Sequence, residues 1–194
     1  MAWKGTRKEF IKQYGAYIHK VTRGTGILPG TLITQLFVES SANGLVGGSG
    51  LTQKSNNYFG IKCYGNWKGP TVTARTREET KSGESYYINA CFRKYGSIEE
   101  SIKDYIKFLK ENKRYQNAGF FDAKTVLDQF KALKRAGYAT ADSYVSFLNS
   151  IYTPYASLID QQKSLMAKID IKKLFGVLLL GISATLIEKI VKKR

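Results

Sequence analysis

The chain of 194 residues carries a formal charge of +16, from 31 lysines and arginines against 15 acidic residues, with 43% hydrophobic and 13% aromatic residues. That length supports one domain with a substantial core and a short extension, and excludes two full domains. The charge draws polyanions such as nucleic acid, acidic lipid or anionic wall glycan, but the basic residues are dispersed without zinc-ligand spacing or a basic-zipper pattern, so nucleic acid is not an expected partner.

In chain order, Thr6 to Val21 places Phe10, Ile11, Tyr14, Tyr17, Ile18 and Val21 at helical spacing. Gly24, Gly26 and Pro29-Gly30 end that helix. Thr31 reads as the N-cap of a second, strongly apolar helix whose last turn carries one carboxylate, Glu39. Gly44 to Gly50 has loop composition, with Gly47-Gly48-Ser49-Gly50 as a flexible lip. Thr71-Val72-Thr73-Ala74 and Ser85-Tyr86-Tyr87-Ile88, among turn signals at Gly65, Gly69-Pro70 and Gly83, predict a small antiparallel hairpin. Ser97-Ile98-Glu99-Glu100 matches a capping box and opens a helix with Ile102, Tyr105, Ile106, Phe108 and Leu109 as its buried stripe. Helices are also expected over Ala123 to Ala136, closed by Gly137, and over Asp142 to Ser157. The pattern is a mostly helical α+β domain with a small β-rich lobe.

The carboxyl end differs. Leu174 to Ile187 contains no charged residue and is flanked by Lys172-Lys173 and by Glu188-Lys189. As a helix it would span roughly 21 Å, short of a hydrocarbon core of roughly 30 Å, so it reads as a short anchor, an interfacial helix or a packing helix. The expected division is a catalytic unit over 1–160 and a basic, apolar tail helix over 161–194, with membrane contact through Leu174 to Ile187 as a possible partner interaction. Met1 to Lys20 lacks the apolar segment of a secretory signal, so release by another route or prior removal of a leader is expected.

Glu39 is the first candidate for chemistry. A lone acid ending a buried helix at the lip of a glycine-rich loop suits a general acid, because apolar neighbours disfavour its charged form. Glycoside hydrolysis usually pairs such an acid with a second carboxylate, and Glu78 or Glu79 on the hairpin supplies one unless Arg77 to Lys81 is simply a solvated turn. Cys63 and Cys91 flank the hairpin, where they are either a disulfide or two buried thiols. One histidine and two cysteines argue against a zinc site and a histidine-centred triad, and no GxxxxGK[ST] loop occurs, so neither metal nor cofactor is expected. Aromatics gather beside the acids, and tyrosines with amides suit sugar rings, which offer C–H faces and hydroxyls; Trp67 and Tyr138 are expected in the cleft.

The ordered motifs Gln35-Leu36-Phe37-Val38-Glu39-Ser40, Ser49-Gly50-Leu51, Asn56-Asn57-Tyr58-Phe59-Gly60-Ile61-Lys62, Trp67-Lys68-Gly69, Phe92-Arg93-Lys94-Tyr95, Arg114-Tyr115 and Gly137-Tyr138-Ala139-Thr140 resemble glycoside hydrolase family 73 over residues 6 to 158. The resemblance implies a lysozyme-like, two-lobed fold and an endo-β-N-acetylglucosaminidase that cuts the β-1,4 bond between N-acetylglucosamine and N-acetylmuramic acid of peptidoglycan. It places the general acid on Glu39, the active-site tyrosine on Tyr138 and, through a Glu-x-x-x-Gly pattern ending at Gly83, the second acid on Glu79 in preference to Glu78. Gln35, Asn57, Tyr58, Phe59 and Trp67 are the implied substrate contacts. The cysteines resemble those of relatives that act outside the cytoplasm, and the implied place of action is the bacterial wall. Ser41-Ala42-Asn43-Gly44 replaces the family's frequent Gly-Trp-Gly, and the loop to Leu51 is longer. The rival reading is a catalytically silent module that binds wall glycan or tethers to membrane.

Overall fold

The computed structural model describes residues 1–65, 67–79, 84–139 and 141–165, with the backbone alone at 78 and 79. Its elements are α1 (Arg7–Thr22), α2 (Pro29–Ser40), α3 (Gly50–Ser55), β1 (Thr71–Glu79), β2 (Ser85–Arg93), α4 (Ile98–Glu111), α5 (Lys113–Asn117), α6 (Val126–Arg135) and α7 (Tyr144–Tyr152). The predicted tail helix at Leu174 to Ile187 lies outside the described residues. Among the described residues, no helix is long and apolar enough to cross a membrane.

α2 is the hub, because its sequence is apolar on every side: Gly30 through Phe37 are all buried, and α1, α6 and α7 pack around it. Thr31 is not its cap. The helix begins at Pro29, whose fixed φ and missing N–H suit a first turn, with Leu28 at the N-cap; Thr31 is its third residue and 1% exposed. The buried Gln129 side chain of α6 holds the N-cap residue itself, accepting from the Leu28 N–H at 3.0 Å and donating to the carbonyls of Gly26 and Phe120 at 2.6 and 3.1 Å.

Local signals hold elsewhere with small shifts. Thr6 and Glu9 form the capping box of α1. At α4 the Ser97 hydroxyl accepts from the Glu100 N–H, while the Glu100 carboxylate reaches the Gly96 N–H instead of that of Ser97. α6 starts three residues later than its spacing predicts, at a cap from Thr125. The last predicted helix begins at Tyr144, and a 3-10 turn at Thr153–Tyr155, containing Pro154, interrupts it before residues 156–165 turn helical again. That last segment reaches past the expected boundary at 160, since Ile159 and Gln162 are buried and Gly15 of α1 leaves the space Gln162 fills. The short helices α3 and α5 have too few residues for a periodicity to register.

β1 and β2 form an antiparallel pair running from Thr71 opposite Arg93 to Glu79 opposite Ser85. Lys62 bridges to Phe92, the Cys63 N–H donates to the Cys91 carbonyl at 3.0 Å, and Cys63 and Cys91 form a disulfide. The base of the hairpin is thus fixed to the body, with Ala90 and Phe92 buried, whereas Ser85 through Asn89 are exposed.

The glycine-rich stretch is anchored, not a free lip. Gly5 and Val46 exchange two backbone hydrogen bonds, the Gly47 N–H donates to the Ser40 hydroxyl, and Ser49 N–H donates to the Ser40 carbonyl. Gly47 is required there: its φ is +73° and an added Cβ would stand 2.2 Å from the Trp3 carbonyl oxygen.

Candidate active site

Three local structures converge on Glu39. The first is α2 itself, whose final turn delivers the carboxyl out of the core. The second is the turn at Asn57 to Ile61. The Asn57 side chain closes it, donating to the carbonyls of Ile61 and Arg93 at 2.8 and 2.9 Å and accepting from the Ile61 N–H at 3.0 Å. Gly60, at φ +62°, then passes so close that an added Cβ would lie 4.0 Å from Glu39 Oε2.

The third is the end of α6. There the Gly137 N–H bonds the Lys134 carbonyl and the Tyr138 N–H bonds the Leu133 carbonyl, with Gly137 in the left-handed region at φ +73°. This double closure is a Schellman motif, and it fixes the backbone of Tyr138 as the chain leaves the helix. The Tyr138 ring stacks on Tyr144 at 6.3 Å and lies 6.4 Å from Tyr115. Gln35 in turn holds Tyr144, its Nε2 donating to the phenol oxygen at 3.0 Å.

Burial raises the pKa of Glu39 to about 7, and a hydrogen bond from the Tyr138 hydroxyl, which favours the charged form, offsets this in part. Burial first, then the charges of neighbouring phenols and of Glu39, holds the hydroxyls of Tyr105 and Tyr138 well above their ordinary range, with a hydrogen bond from Tyr138 offsetting part of the rise at Tyr105. Near neutral pH the site therefore holds a carboxyl with a transferable proton beside two phenols that keep theirs. That is the equipment of a general acid with hydrogen-bond donors around it.

A cavity of about 610 Å³ opens beside Glu39, lined by Phe59, Gly60, Tyr105, Tyr138 and the cations Lys62, Arg93 and Arg114, among others. A second cavity, of about 540 Å³ between α1 and the start of α2, contains none of the predicted site residues. Among the described residues, no group of three or more His, Cys, Asp or Glu is placed to hold a metal ion.

The structure sorts the expected substrate contacts. Phe59 lines the cavity, its ring stacked 3.9 Å from that of Tyr105. Gln35, Asn57 and Tyr58 do not reach it: they are 0%, 1% and 0% exposed, and the amides are spent on Tyr144 and on the turn while the Tyr58 hydroxyl donates to the Trp3 carbonyl at 2.7 Å. They are positioning residues. Trp67, expected in the cleft, lines a separate depression with Tyr95 and Asp104, and the Arg93 guanidinium lies 4.8 Å from its ring. Glu79 stands opposite Ser85 at the far end of β1, about 27 Å along the strand from the Thr71–Arg93 pair at ~3.4 Å per residue.

Sequence reasoning missed Tyr105, Tyr144 and Arg114 as site residues. Tyr105 sits in the buried stripe of α4, where spacing cannot tell a core ring from a cavity-lining one. The available signal is its hydroxyl, which is costly in a stripe otherwise made of Ile, Leu and Phe.

Residues 15–157 match the glucosaminidase family model, described as mannosyl-glycoprotein endo-beta-N-acetylglucosaminidase. Peptidoglycan hydrolase FlgJ of Escherichia coli is 32% identical over 166 residues, which is 86% of this chain and 50% of that protein. The chain thus spans about half the length of this curated relative. Among solved structures, the catalytic domain of the autolysin Auto from Listeria monocytogenes superposes with a TM-score of 0.66 at 31% identity, covering 84% of this chain and 90% of that one. The glycoside hydrolase domain of Salmonella typhimurium FlgJ gives 0.60 at 26% identity, covering 86% and 99%. With a mostly helical body, a two-stranded sheet and the lysozyme-like fold of these neighbours, the chain belongs to the glucosaminidase family, glycoside hydrolase family 73.

Proposed function

We propose that the protein hydrolyses peptidoglycan, cutting the β-1,4 bond between N-acetylglucosamine and N-acetylmuramic acid at internal positions of the glycan. Glu39 donates its proton to the leaving glycosidic oxygen as the bond lengthens toward an oxocarbenium-like state. Tyr138 and Tyr105 offer hydroxyls beside it for the reacting sugar and its acetamido group. The observation that carries this reading is the Glu39 carboxyl itself, ending a buried helix with its pKa raised to about 7 against the hydroxyl of Tyr138.

Glu79 is the proposed second acid. From the tip of a hairpin it serves the reaction only when that tip comes down on bound glycan, where it activates water or steadies the substrate's acetamido group as an internal nucleophile. The catalytic unit comprises residues 1–160 with the helical packing that continues to Gln162, and 161–194 is a tail whose apolar stretch contacts membrane. The site of action is the bacterial wall.

Mass spectrometry of purified peptidoglycan after digestion tests the assignment. New N-acetylglucosamine reducing ends are expected. Ends of N-acetylmuramic acid would make the enzyme a muramidase, and binding without any released fragment would leave a glycan-binding module.

A further inference from the structure

The hairpin has two faces that its own pairing tells apart. Along β1, Val72, Ala74 and Thr76 are half-buried and alternate with exposed Thr73 and Arg75. The register sets Val72 opposite Phe92, Ala74 opposite Ala90 and Thr76 opposite Ile88, so these residues share one face, and Tyr86 continues it. Phe92 and Ala90 are buried at its base, which makes it the inward face. Tyr87 belongs to the outward face, where the Arg75 guanidinium lies 4.4 Å from the centre of its ring.

On β2 the inward face is apolar throughout, yet its burial stops halfway: Ile88 and Tyr86 stand exposed. Side chains that turn inward and are still open to solvent face a gap alongside the sheet. The cavity beside Glu39 begins where this face is anchored. Lys62, which bridges to Phe92, lines that cavity, and so does Tyr64 two residues on, at 64% exposure. From Phe92 to Tyr86 the strand runs about 20 Å at ~3.4 Å per residue, more than one glycosidic bond requires. Contiguous exposed apolar groups mark binding faces, and these suit sugar, whose rings offer C–H faces to an aromatic ring and hydroxyls to a phenol.

We propose that the inward face of the hairpin, from Tyr64 through Ile88 to Tyr86, is a stacking wall for the glycan chain beyond the bond at Glu39, so that the enzyme grips sugars it does not cut. The inference rests on the peptidoglycan reading of the site and adds the path of the strand. It makes chain length, in addition to bond type, a determinant of recognition.

The test is calorimetric titration of Glu39→Gln protein, which removes turnover, with stem-free peptidoglycan oligomers of four, six and eight sugars. Affinity should climb about tenfold from four sugars to eight. Added Tyr86→Ala should remove about fivefold of that climb, the size of one ring contact, and leave the four-sugar affinity and the melting curve unchanged. Tyr86→Trp, which keeps a stacking face, should retain the climb. Tyr64→Ala should weaken all three oligomers alike, because it stands at the cavity. Tyr87→Ala, the next residue along the strand but on the outward face, should leave every affinity where it was. Affinity independent of length, or equal losses from Tyr86→Ala and Tyr87→Ala, overturns the proposal. So does a climb that appears only when stem peptides are retained, which would give the face to peptide. If the unmutated protein releases no fragments from peptidoglycan while the climb and its loss in Tyr86→Ala hold, the hydrolase reading fails and the wall stands. Released fragments without a climb keep the hydrolase and remove the wall.

Discussion

The two ends of the groove are built on opposite principles. Around α2 the chain encloses a carboxyl: most of the helix is buried, and Glu39 in its last turn stands against Gly60 and Tyr138, which line the cavity. The hairpin has little to enclose anything with. Its base is fixed by a disulfide, yet Tyr86, Tyr87 and Ile88 stand 47%, 60% and 36% exposed along its outer half. A buried acid needs a rigid environment to keep its pKa raised, whereas a group that completes a site over a long polymer must make way for that polymer to enter. The contrast suits the proposed division, in which the helical side donates the proton and the hairpin side supplies the second acid.

The largest effect expected from testing this contrast is that of Glu39→Gln, which should lower turnover of purified peptidoglycan by about 10²–10⁴-fold, the range for a positioned general acid. In the unmodified enzyme the rate should fall as pH rises through about 7, where Glu39 loses its proton. The same group makes stability depend on pH. Its folded pKa lies above the ordinary value of 4.5, so the native state holds the proton more tightly, and stability is greatest below about 4.5 and declines toward pH 7. Thermal melts should therefore find Glu39→Gln more stable than the parent at pH 8, by up to about 3 kcal/mol at 1.36 kcal/mol per unit of pKa, with the advantage shrinking at pH 4. An activity profile flat across pH 6 to 8 would remove Glu39 from the acid's role.

On the hairpin side, Glu79→Gln should cost about 10²-fold in turnover while leaving the melting curve unchanged, and Glu78→Gln should cost less. Equal and small losses at both positions would strip the hairpin of its acid and leave the acetamido group as the nucleophile. Reduction of Cys63–Cys91, or Cys63→Ser with Cys91→Ser, should lower stability by about 3–4 kcal/mol in the chain-entropy estimate for a separation of 28 residues. It should also weaken binding, since Lys62 and Arg93 flank the bridge. The smallest effect is expected from Gly137→Ala. Strain at φ +73° costs about 1–2 kcal/mol, and the displaced Tyr138 should reduce kcat more than it changes KM.

Much of the helical side was legible in the sequence. The acid at the end of an apolar helix, the cap of α4, and Gly137 before Tyr138 are local patterns with local causes. The start of α2 differs from the expected cap at Thr31 because Pro29 sets the first turn, and the group that holds the Leu28 N–H comes from α6, 101 residues away. Gln35, Asn57 and Tyr58 carry amides and a phenol, groups that sugars attract as readily as the protein's own backbone does. Their hydrogen bonds turned inward, a choice made by tertiary packing that composition does not carry. Trp67 lies outside the cavity for a related reason, since its ring is taken up by Arg93 and Tyr95.

The hydrogen bonds of Gln129 give α2 the character of a rod gripped at its rear. Twelve residues of helix extend about 18 Å from the collar at Leu28 to the tip that bears Glu39. A stiff shaft of that length converts a small slip at the collar into an equal slip at the tip. The depth at which the acid meets its substrate is therefore set partly by a neutral amide on the far side of the molecule, one that never approaches the glycan.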